Sequence, residues 1–181
     1  MIITISGQAG SGKSSVGKLL AKRLGFRHYS MGELRRKAAY ERGITLAEFN
    51  KLGEREDFTD RFVDELQEKL GKKEDDIVVD GRTSFHFIPH SIKIYLHADL
   101  DVRAKRVFSD ERKAEGFKTI EECRESLDER ENSDDKRYRK YYGIGVREKK
   151  NYDYYIDTTG MTIEENVDKI IGMIKKDFGD F

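Results

Sequence analysis

Hydrophobic and polar positions along the chain separate short apolar runs from longer amphipathic stretches. Apolar runs at residues 2–6, 77–80 and 92–96 are typical of strands that are buried on both faces of a sheet. Weaker strand patterns cover residues 27–29 and 154–157. The pattern therefore predicts five strands, with helical segments between them.

The helical segments show the spacing of helices that pack one face on a sheet. In residues 13–24 the side chains of Val16, Leu19, Leu20 and Leu24 form one stripe, and Gly25 ends the segment. Similar patterns cover residues 99–108 and 162–178. Strands that alternate with helices favour an α/β fold with three layers, in which a five-stranded parallel sheet is flanked by helices.

Two regions depart from this alternation. Residues 31–72 contain about three short charged helices, and residues 109–142 are very polar and read as a solvated helical hairpin. We expect residues 1–181 to form a single domain with these two regions as appendages that move against the sheet.

Charge and cysteine content narrow the classes of function. The 35 basic and 35 acidic residues balance, so no net field attracts the chain to nucleic acid or to a membrane. The single cysteine, Cys123, excludes an internal disulfide, and the sequence shows no signal peptide and no long apolar run. We expect a cytoplasmic protein that acts as a monomer, without a nucleic-acid or membrane partner.

The first strand leads into a glycine-rich loop. Residues 7–14, GQAGSGKS, match the pattern G-x-x-x-x-G-K-[ST] between a strand and a helix, which is the context that a phosphate-binding loop requires. Glycines allow backbone N–H groups to surround a phosphate chain, and the helix adds its positive end. We predict that ATP is bound by Gly7, Gln8, Ala9, Gly10, Ser11, Gly12, Lys13, Ser14 and Ser15.

The loop alone does not choose among the phosphate-binding-loop proteins. The chain lacks the Asn-Lys-x-Asp motif with which GTPases read guanine. Asp80 ends a strand of the type whose terminal carboxylate binds a metal ion through water. We therefore predict that Ser14 and Asp80 bind Mg²⁺. Lys13 is predicted to contact the β- and γ-phosphates.

Arginines follow the second and third strands, where ligands gather in folds of this type. The first group is Ser30, Gly32, Arg35 and Arg36, and the second is Arg82. A guanidinium group binds a phosphate through two hydrogen bonds, so these residues predict a site for a monophosphate acceptor.

The polar region carries a second arginine pattern. Arg130, Asp134 and Arg137 are spaced so that they share one face of a helix, with Asp134 able to orient both guanidinium groups. We predict that Arg130 and Arg137, with Arg106 and its neighbour Arg103 on the preceding helix, neutralise charge on the transferred phosphoryl group.

Taken together, these segments resemble the nucleoside monophosphate kinase family of phosphate-binding-loop proteins, and most closely its archaeal cytidylate kinases. The resemblance runs through nearly the whole chain and is carried by residues 3–25, the S-x-G-x-x-x-R of residues 30–36, VVDGR at 78–82, IYLHADLDVRAKR at 94–106, RENSDDKR at 130–137, YYGI at 141–144 and YIDTTGMTIEE at 155–165.

The resemblance implies transfer of the ATP γ-phosphoryl group to CMP or dCMP with Mg²⁺. It also implies a monophosphate-binding region at about residues 30–72 and a lid at about residues 109–142. Met31 and Thr83 depart from the pattern of many relatives, and Asp80-Gly81-Arg82 lacks the motif of adenylate kinases. The residues that read the base are not identified by the sequence.

Two alternatives stay open from the sequence. One is a kinase of the same fold with another acceptor, such as UMP, AMP, shikimate or dephospho-CoA. The other is a nucleotide-dependent switch or RNA-associated module without enzymatic activity.

Overall fold

The structure, a computed structural model, describes residues 1–109 and 116–179. Its centre is a sheet of five parallel strands in the order β2-β3-β1-β4-β5. The strands are β1 (Ile2–Gly7), β2 (Arg27–Ser30), β3 (Ile77–Asp80), β4 (Ile92–His97) and β5 (Tyr154–Asp157). All five predicted strands are confirmed, and their bounds differ from the prediction by at most one residue.

Eight α-helices connect or flank the strands within the described residues. They are α1 (Lys13–Leu24), α2 (Met31–Glu41), α3 (Leu46–Gly53), α4 (Phe58–Lys73), α5 (Ser84–Phe87), α6 (Leu100–Ser109), α7 (Ile120–Tyr142) and α8 (Ile163–Phe178). A short 3₁₀ helix covers Lys149–Asn151. None of these helices is both long enough and apolar enough to cross a membrane.

Two hydrophobic clusters cover the two faces of the sheet. Helices α1 and α8 pack Val16, Leu20 and Ile170 against Ile3 and Ile94 on one face. On the opposite face, α2 and α4 pack against the sheet through a second cluster that includes Met31, Val63, Leu70, Ile77 and Val79. Each helix buries the apolar stripe that the sequence shows, so the three-layer α/β architecture is confirmed.

The two polar regions take different forms. The three helices expected in residues 31–72 are α2, α3 and α4, and this prediction is confirmed. The expectation of a helical hairpin within residues 109–142 is wrong where the structure describes them, because Ile120–Tyr142 is one helix of 23 residues. This helix instead pairs with α6 through Ala104, Cys123 and Leu127, and residues 110–115 lie outside the described part of the chain.

The long α7 has signals for one continuous helix. Thr119 accepts a hydrogen bond from the backbone of Glu122 at its start, and Gly143 ends it in the left-handed region with φ 68°. No proline interrupts it. Since α7 reaches from the phosphate-binding loop to α3 and α4, it forms one wall over the carboxyl ends of the strands.

Candidate active site

The glycine-rich loop lies between β1 and α1, as the motif predicts. Gly7 has φ 145°, and a Cβ atom there would lie 2.2 Å from the carbonyl oxygen of Leu96. Gly10 has φ 78° and a Cβ atom would lie 2.8 Å from the carbonyl oxygen of Arg103. Only glycine fits both positions without strain, so the loop holds a conformation that the sequence enforces.

Lys13 closes the loop onto itself. Its Nζ donates a hydrogen bond to the carbonyl oxygen of Gln8 at 2.5 Å. Burial, and next the nearby Arg82 guanidinium, hold the pKa of Lys13 well below its ordinary value, and Arg130 acts in the same direction. Positive charges therefore converge here, and an anionic phosphate chain is the ligand that would relieve their repulsion.

Asp80 lies at the centre of a polar cluster at the end of β3. Its Oδ1 accepts hydrogen bonds from Ser14 Oγ at 2.9 Å and Ser30 Oγ at 3.2 Å, and its Oδ2 lies 2.8 Å from His28 Nε2. A Cβ atom on Gly17 would lie 3.0 Å from that histidine nitrogen, so α1 carries glycine where His28 needs room.

Ser14 and Asp80 offer the oxygen ligands that Mg²⁺ prefers. The described residues contain no group of three His, Cys, Asp or Glu side chains that could hold a metal. A magnesium ion at Ser14 and Asp80 would therefore complete its coordination with phosphate oxygens and water, which is how this ion is usually bound in kinases. The residues present fit the ion.

A cavity of about 650 Å³ lies over the carboxyl ends of the strands. Most predicted site residues line it, namely Ala9, Gly10, Ser11, Gly12, Lys13, Ser14, Ser15, Gly32, Arg35, Arg36, Asp80, Arg82, Arg106 and Arg130. The predicted residues that do not line it are Gly7, Gln8, Ser30, Arg103 and Arg137. The structure thus brings the phosphate-binding loop and four of the five predicted acceptor and lid arginines to one space.

Two of the acceptor arginines are held by carboxylates. Arg35 is 8% exposed and pairs with Asp60 at 2.6 Å, while its Nε donates to Asn50 Oδ1 at 2.9 Å. Arg82 pairs through Nε with Asp134, and its buried Nη2 has no hydrogen-bond partner within the described ranges. An unsatisfied N–H on a fixed guanidinium beside the loop is a donor in position for an anionic ligand.

The two arginines of α7 occupy different environments. Arg130 lines the cavity, whereas Arg137 is 1% exposed and pairs with Asp134 at 2.7 Å and Asp60 at 3.3 Å. Burial alone would raise the pKa of Asp134, but Arg82 and Arg137 lower it to about 2. Arg137 thus joins α7 to α4, and its predicted contact with the transferred phosphoryl group is not visible in this arrangement.

Arg103 and Arg106 on α6 also differ. Arg103 is buried, donates to the carbonyl oxygens of Ala98 and Ala9, and pairs with Glu131 on α7, so it supports the loop from behind. Arg106 lines the cavity and donates to the carbonyl oxygen of Thr158 at 2.6 Å. Its contacts tie α6 to the turn after β5.

Sequence reasoning missed several residues that line or shape the cavity. Asn50, Asp60 and Asp64 line it from α3 and α4, and His28 supports Asp80. The two aspartates are spaced at i and i+4 in α4, so their shared face was visible in the sequence. Nothing in the sequence indicated which side of that helix would face the loop.

The comparison with protein families shows which family the chain belongs to. Residues 2–160 match the model of the "Cytidylate kinase-like family". The chain belongs to the cytidylate kinase-like family. A cytidylate kinase of Methanothermobacter thermautotrophicus is 37% identical over 164 residues, which cover 91% of this chain and 99% of the relative. A cytidylate kinase of Pyrococcus furiosus is 39% identical over 88% of this chain and 80% of its own length.

Solved structures support the fold of this family member. A shikimate kinase from Acinetobacter baumannii matches with a TM-score of 0.64 at 19% identity, covering 99% of this chain and 95% of that protein. A gluconokinase from Sinorhizobium meliloti matches with a TM-score of 0.60 at 18% identity, covering 96% and 91%. At such low identity these likenesses show the kinase fold alone.

Proposed function

We propose that this protein is an ATP-dependent cytidylate kinase that transfers the γ-phosphoryl group to CMP or dCMP. The observation that carries the proposal is that Lys13, Arg36, Arg82 and Arg130 line one cavity with the phosphate-binding loop. Membership of the cytidylate kinase-like family supports CMP as the acceptor. We also propose that the protein acts in the cytoplasm and as a monomer.

In this proposal the loop holds the phosphate chain of ATP. Backbone N–H groups of the loop and the Lys13 ammonium group bind the β- and γ-phosphates. The negative charge of these phosphates raises the lowered pKa of Lys13 back towards its ordinary value. Ser14 and Asp80 would hold Mg²⁺ beside them. Bound there, the ion neutralises charge on the phosphate oxygens.

The acceptor phosphate is held by the guanidinium groups of the opposite wall. Arg36 and the free Nη2 of Arg82 are the donors that we assign to it, and Arg35 positions the wall through Asp60. An oxygen of the acceptor phosphate attacks the γ-phosphorus, a new O–P bond forms, and the bond to the β-phosphate oxygen breaks to release ADP. Since the attacking oxygen is already anionic, no side-chain base is required.

Arg130 supplies positive charge where the transition state needs it. It lies on α7 and lines the same cavity, so its guanidinium group would stabilise charge on the transferred phosphoryl group. Together α7 and α6 exclude water from the cavity, which limits hydrolysis of ATP. Residues 30–72 act as the monophosphate-binding region and 109–142 as the lid in this proposal.

The test is a coupled assay of ADP release with purified protein and a panel of acceptors. CMP, dCMP, UMP, AMP, GMP and shikimate are each offered with ATP and Mg²⁺. We expect CMP to give the highest kcat/KM, with dCMP next. Equal turnover with all nucleotides, or a preference for shikimate, would contradict the assignment of the acceptor. ADP release that occurs without an acceptor and does not increase when any acceptor is added would contradict a kinase activity.

A further inference from the structure

One carboxyl group on the acceptor side of the cavity differs from its neighbours. Asp60 pairs with Arg35 and Arg137, and Asp134 pairs with Arg82 and Arg137. Asp64, in contrast, makes no ion pair among residues 1–109 and 116–179. Its contacts are the hydroxyl of Tyr142, which donates to Oδ2, and the amide of Gln67, which donates to Oδ1 at 3.4 Å.

The surroundings fix this carboxyl group in place. Gln67 is fully buried and also accepts a hydrogen bond from Ser84 Oγ at 2.6 Å and lies 3.4 Å from Thr83 Oγ1. Tyr142 is in the last turn of α7. Each oxygen of Asp64 receives one described donor, and a carboxylate oxygen can accept a second. Asp64 therefore retains acceptor capacity towards the cavity that it lines.

Its position relative to the arginines indicates which part of a ligand it would meet. Asp64 lies one helical turn beyond Asp60 on α4, which is about 6 Å along the helix. Asp60 holds Arg35, which in our proposal positions the wall that binds the acceptor phosphate. A phosphate at Asp64 would be repelled by its ionised carboxylate, which no ion pair within the described ranges neutralises. A neutral group with N–H donors, displaced from the phosphate, is the ligand that fits.

The neighbouring walls suit an aromatic ring. Met31, Val63 and Thr83 line the same cavity as Asp64 and contribute apolar atoms to its walls. Burial raises the pKa of Asp64 to about 7, against the lowering effect of the Tyr142 hydroxyl. A hydrogen bond from a ligand N–H would favour the ionised form, as it does for other buried carboxylates.

We propose that Asp64 is the residue that selects cytosine over uracil, by accepting a hydrogen bond from the exocyclic amino group of the base. Uracil carries a carbonyl oxygen at that position, so it would place two acceptors against each other. The inference rests on the proposed function and adds the residue that reads the base. Gln67 and Tyr142 act as positioning residues that hold the two oxygens of Asp64.

The experiment compares wild type with Asp64→Asn, using CMP and UMP as acceptors. The asparagine keeps the shape, its oxygen can accept from Gln67, and its amide can donate to the carbonyl oxygen of uracil. We expect the ratio of kcat/KM for CMP to that for UMP to fall by about 10- to 100-fold, with the loss for CMP in KM. Isothermal titration of CMP and UMP without ATP should show the same change in binding.

Two further variants control the result. Glu68→Gln removes an exposed carboxylate four residues further along α4, which pairs with Lys72, and should leave the ratio unchanged. Tyr142→Phe removes the hydroxyl that holds Asp64 and should raise KM for CMP with kcat preserved. It provides the test if thermal denaturation shows that Asp64→Asn does not fold.

The outcomes separate this inference from the proposed function. If wild type phosphorylates CMP and Asp64→Asn lowers turnover of CMP and UMP by the same factor, or changes neither, the inference is overturned while the kinase assignment stands. The same holds if wild type does not distinguish the two nucleotides. If wild type phosphorylates neither, the proposed function fails and the inference fails with it.

Discussion

The two sides of the cavity, which we assign to ATP (the ATP side) and to the nucleotide that is phosphorylated (the acceptor side), are built in different ways. The ATP side is formed mainly by one contiguous segment, residues 7–15, whose glycines have backbone conformations that other residues do not tolerate. The acceptor side collects side chains from α2, α3, α4, α7 and the end of β3, and joins them by ion pairs. The first is a backbone site, and the second is a network of side chains.

The two sides also hold their ligand-binding groups in place by different means. A backbone site is organised before its ligand arrives, because its N–H groups are fixed by the fold. On the acceptor side, Asp60 and Asp134 hold Arg35, Arg82 and Arg137 in place through ion pairs. These carboxylates offset the repulsion among buried guanidinium groups, and they also join α7 to α4.

The largest effect is expected for Lys13→Ala, on the ATP side. Loss of the ammonium group that we propose contacts the transferred phosphoryl group should lower kcat by about three orders of magnitude or more. Steady-state kinetics with saturating CMP measure it. Lys18→Ala, which removes an exposed lysine from the same helix, is the matched control, and a similar loss in both variants would contradict the assigned role.

The next prediction separates two arginines on one face of α7. Arg137→Met removes one of the two cations that pair with each of Asp60 and Asp134 and breaks the buried link between α7 and α4, so we expect a loss of about 3 kcal/mol in the free energy of unfolding. Arg130→Met should change stability little and lower kcat by about two orders of magnitude. Urea denaturation and kinetics test both. If Arg130→Met is the destabilised variant and keeps its kcat, the contrast drawn from the cavity is wrong.

A smaller effect is expected for Arg36→Ala on the acceptor side. Arg36 lines the cavity beside Gly32, and its contact with the acceptor phosphate would be present in both the ground state and the transition state. We therefore expect KM for CMP to rise by about 10-fold, with little change in kcat or in KM for ATP. A normal KM for CMP combined with a higher KM for ATP would place Arg36 on the other side.

The smallest effect concerns the pH dependence of stability through Asp64. Burial raises its pKa to about 7 in the folded state from an ordinary 3.8. Between these two pKa values the folded protein holds a proton that the unfolded chain releases. The resulting contribution to the free energy of unfolding is full below pH 4 and is lost as the pH rises through 7. The free energy of unfolding of Asp64→Asn, taken relative to that of wild type, should therefore rise by on the order of 1 kcal/mol from pH 5 to pH 8. Thermal denaturation at both values measures it, and a constant difference would contradict the raised pKa.

The same comparison explains what the sequence could predict. The strands, the sheet and the glycine loop follow from local patterns, since buried β-branched runs and a fixed motif determine them. Arg35, Arg36 and Arg82 were identifiable because they follow strand ends. Their pairing was not, because contacts such as Arg82 with Asp134 join residues 52 positions apart.

Three residues illustrate what a local sequence pattern does not encode. Arg130 and Arg137 share a helix face, and spacing gave them the same role, yet one lines the cavity and the other is buried against α4. No sequence motif indicated a role for Asp64, and its contact with Tyr142 forms only when α4 packs against the last turn of α7. Such placement depends on tertiary packing, which a periodic pattern does not encode.

The most direct test of the central claim is a crystal structure with a bisubstrate analogue that joins adenosine and cytidine through a polyphosphate chain. The account predicts that the loop and Lys13 surround the phosphates on the adenosine side. It also predicts that Arg36 and Arg82 donate hydrogen bonds to the phosphate on the cytidine side. A complex in which these two guanidinium groups point away from every phosphoryl oxygen would contradict it.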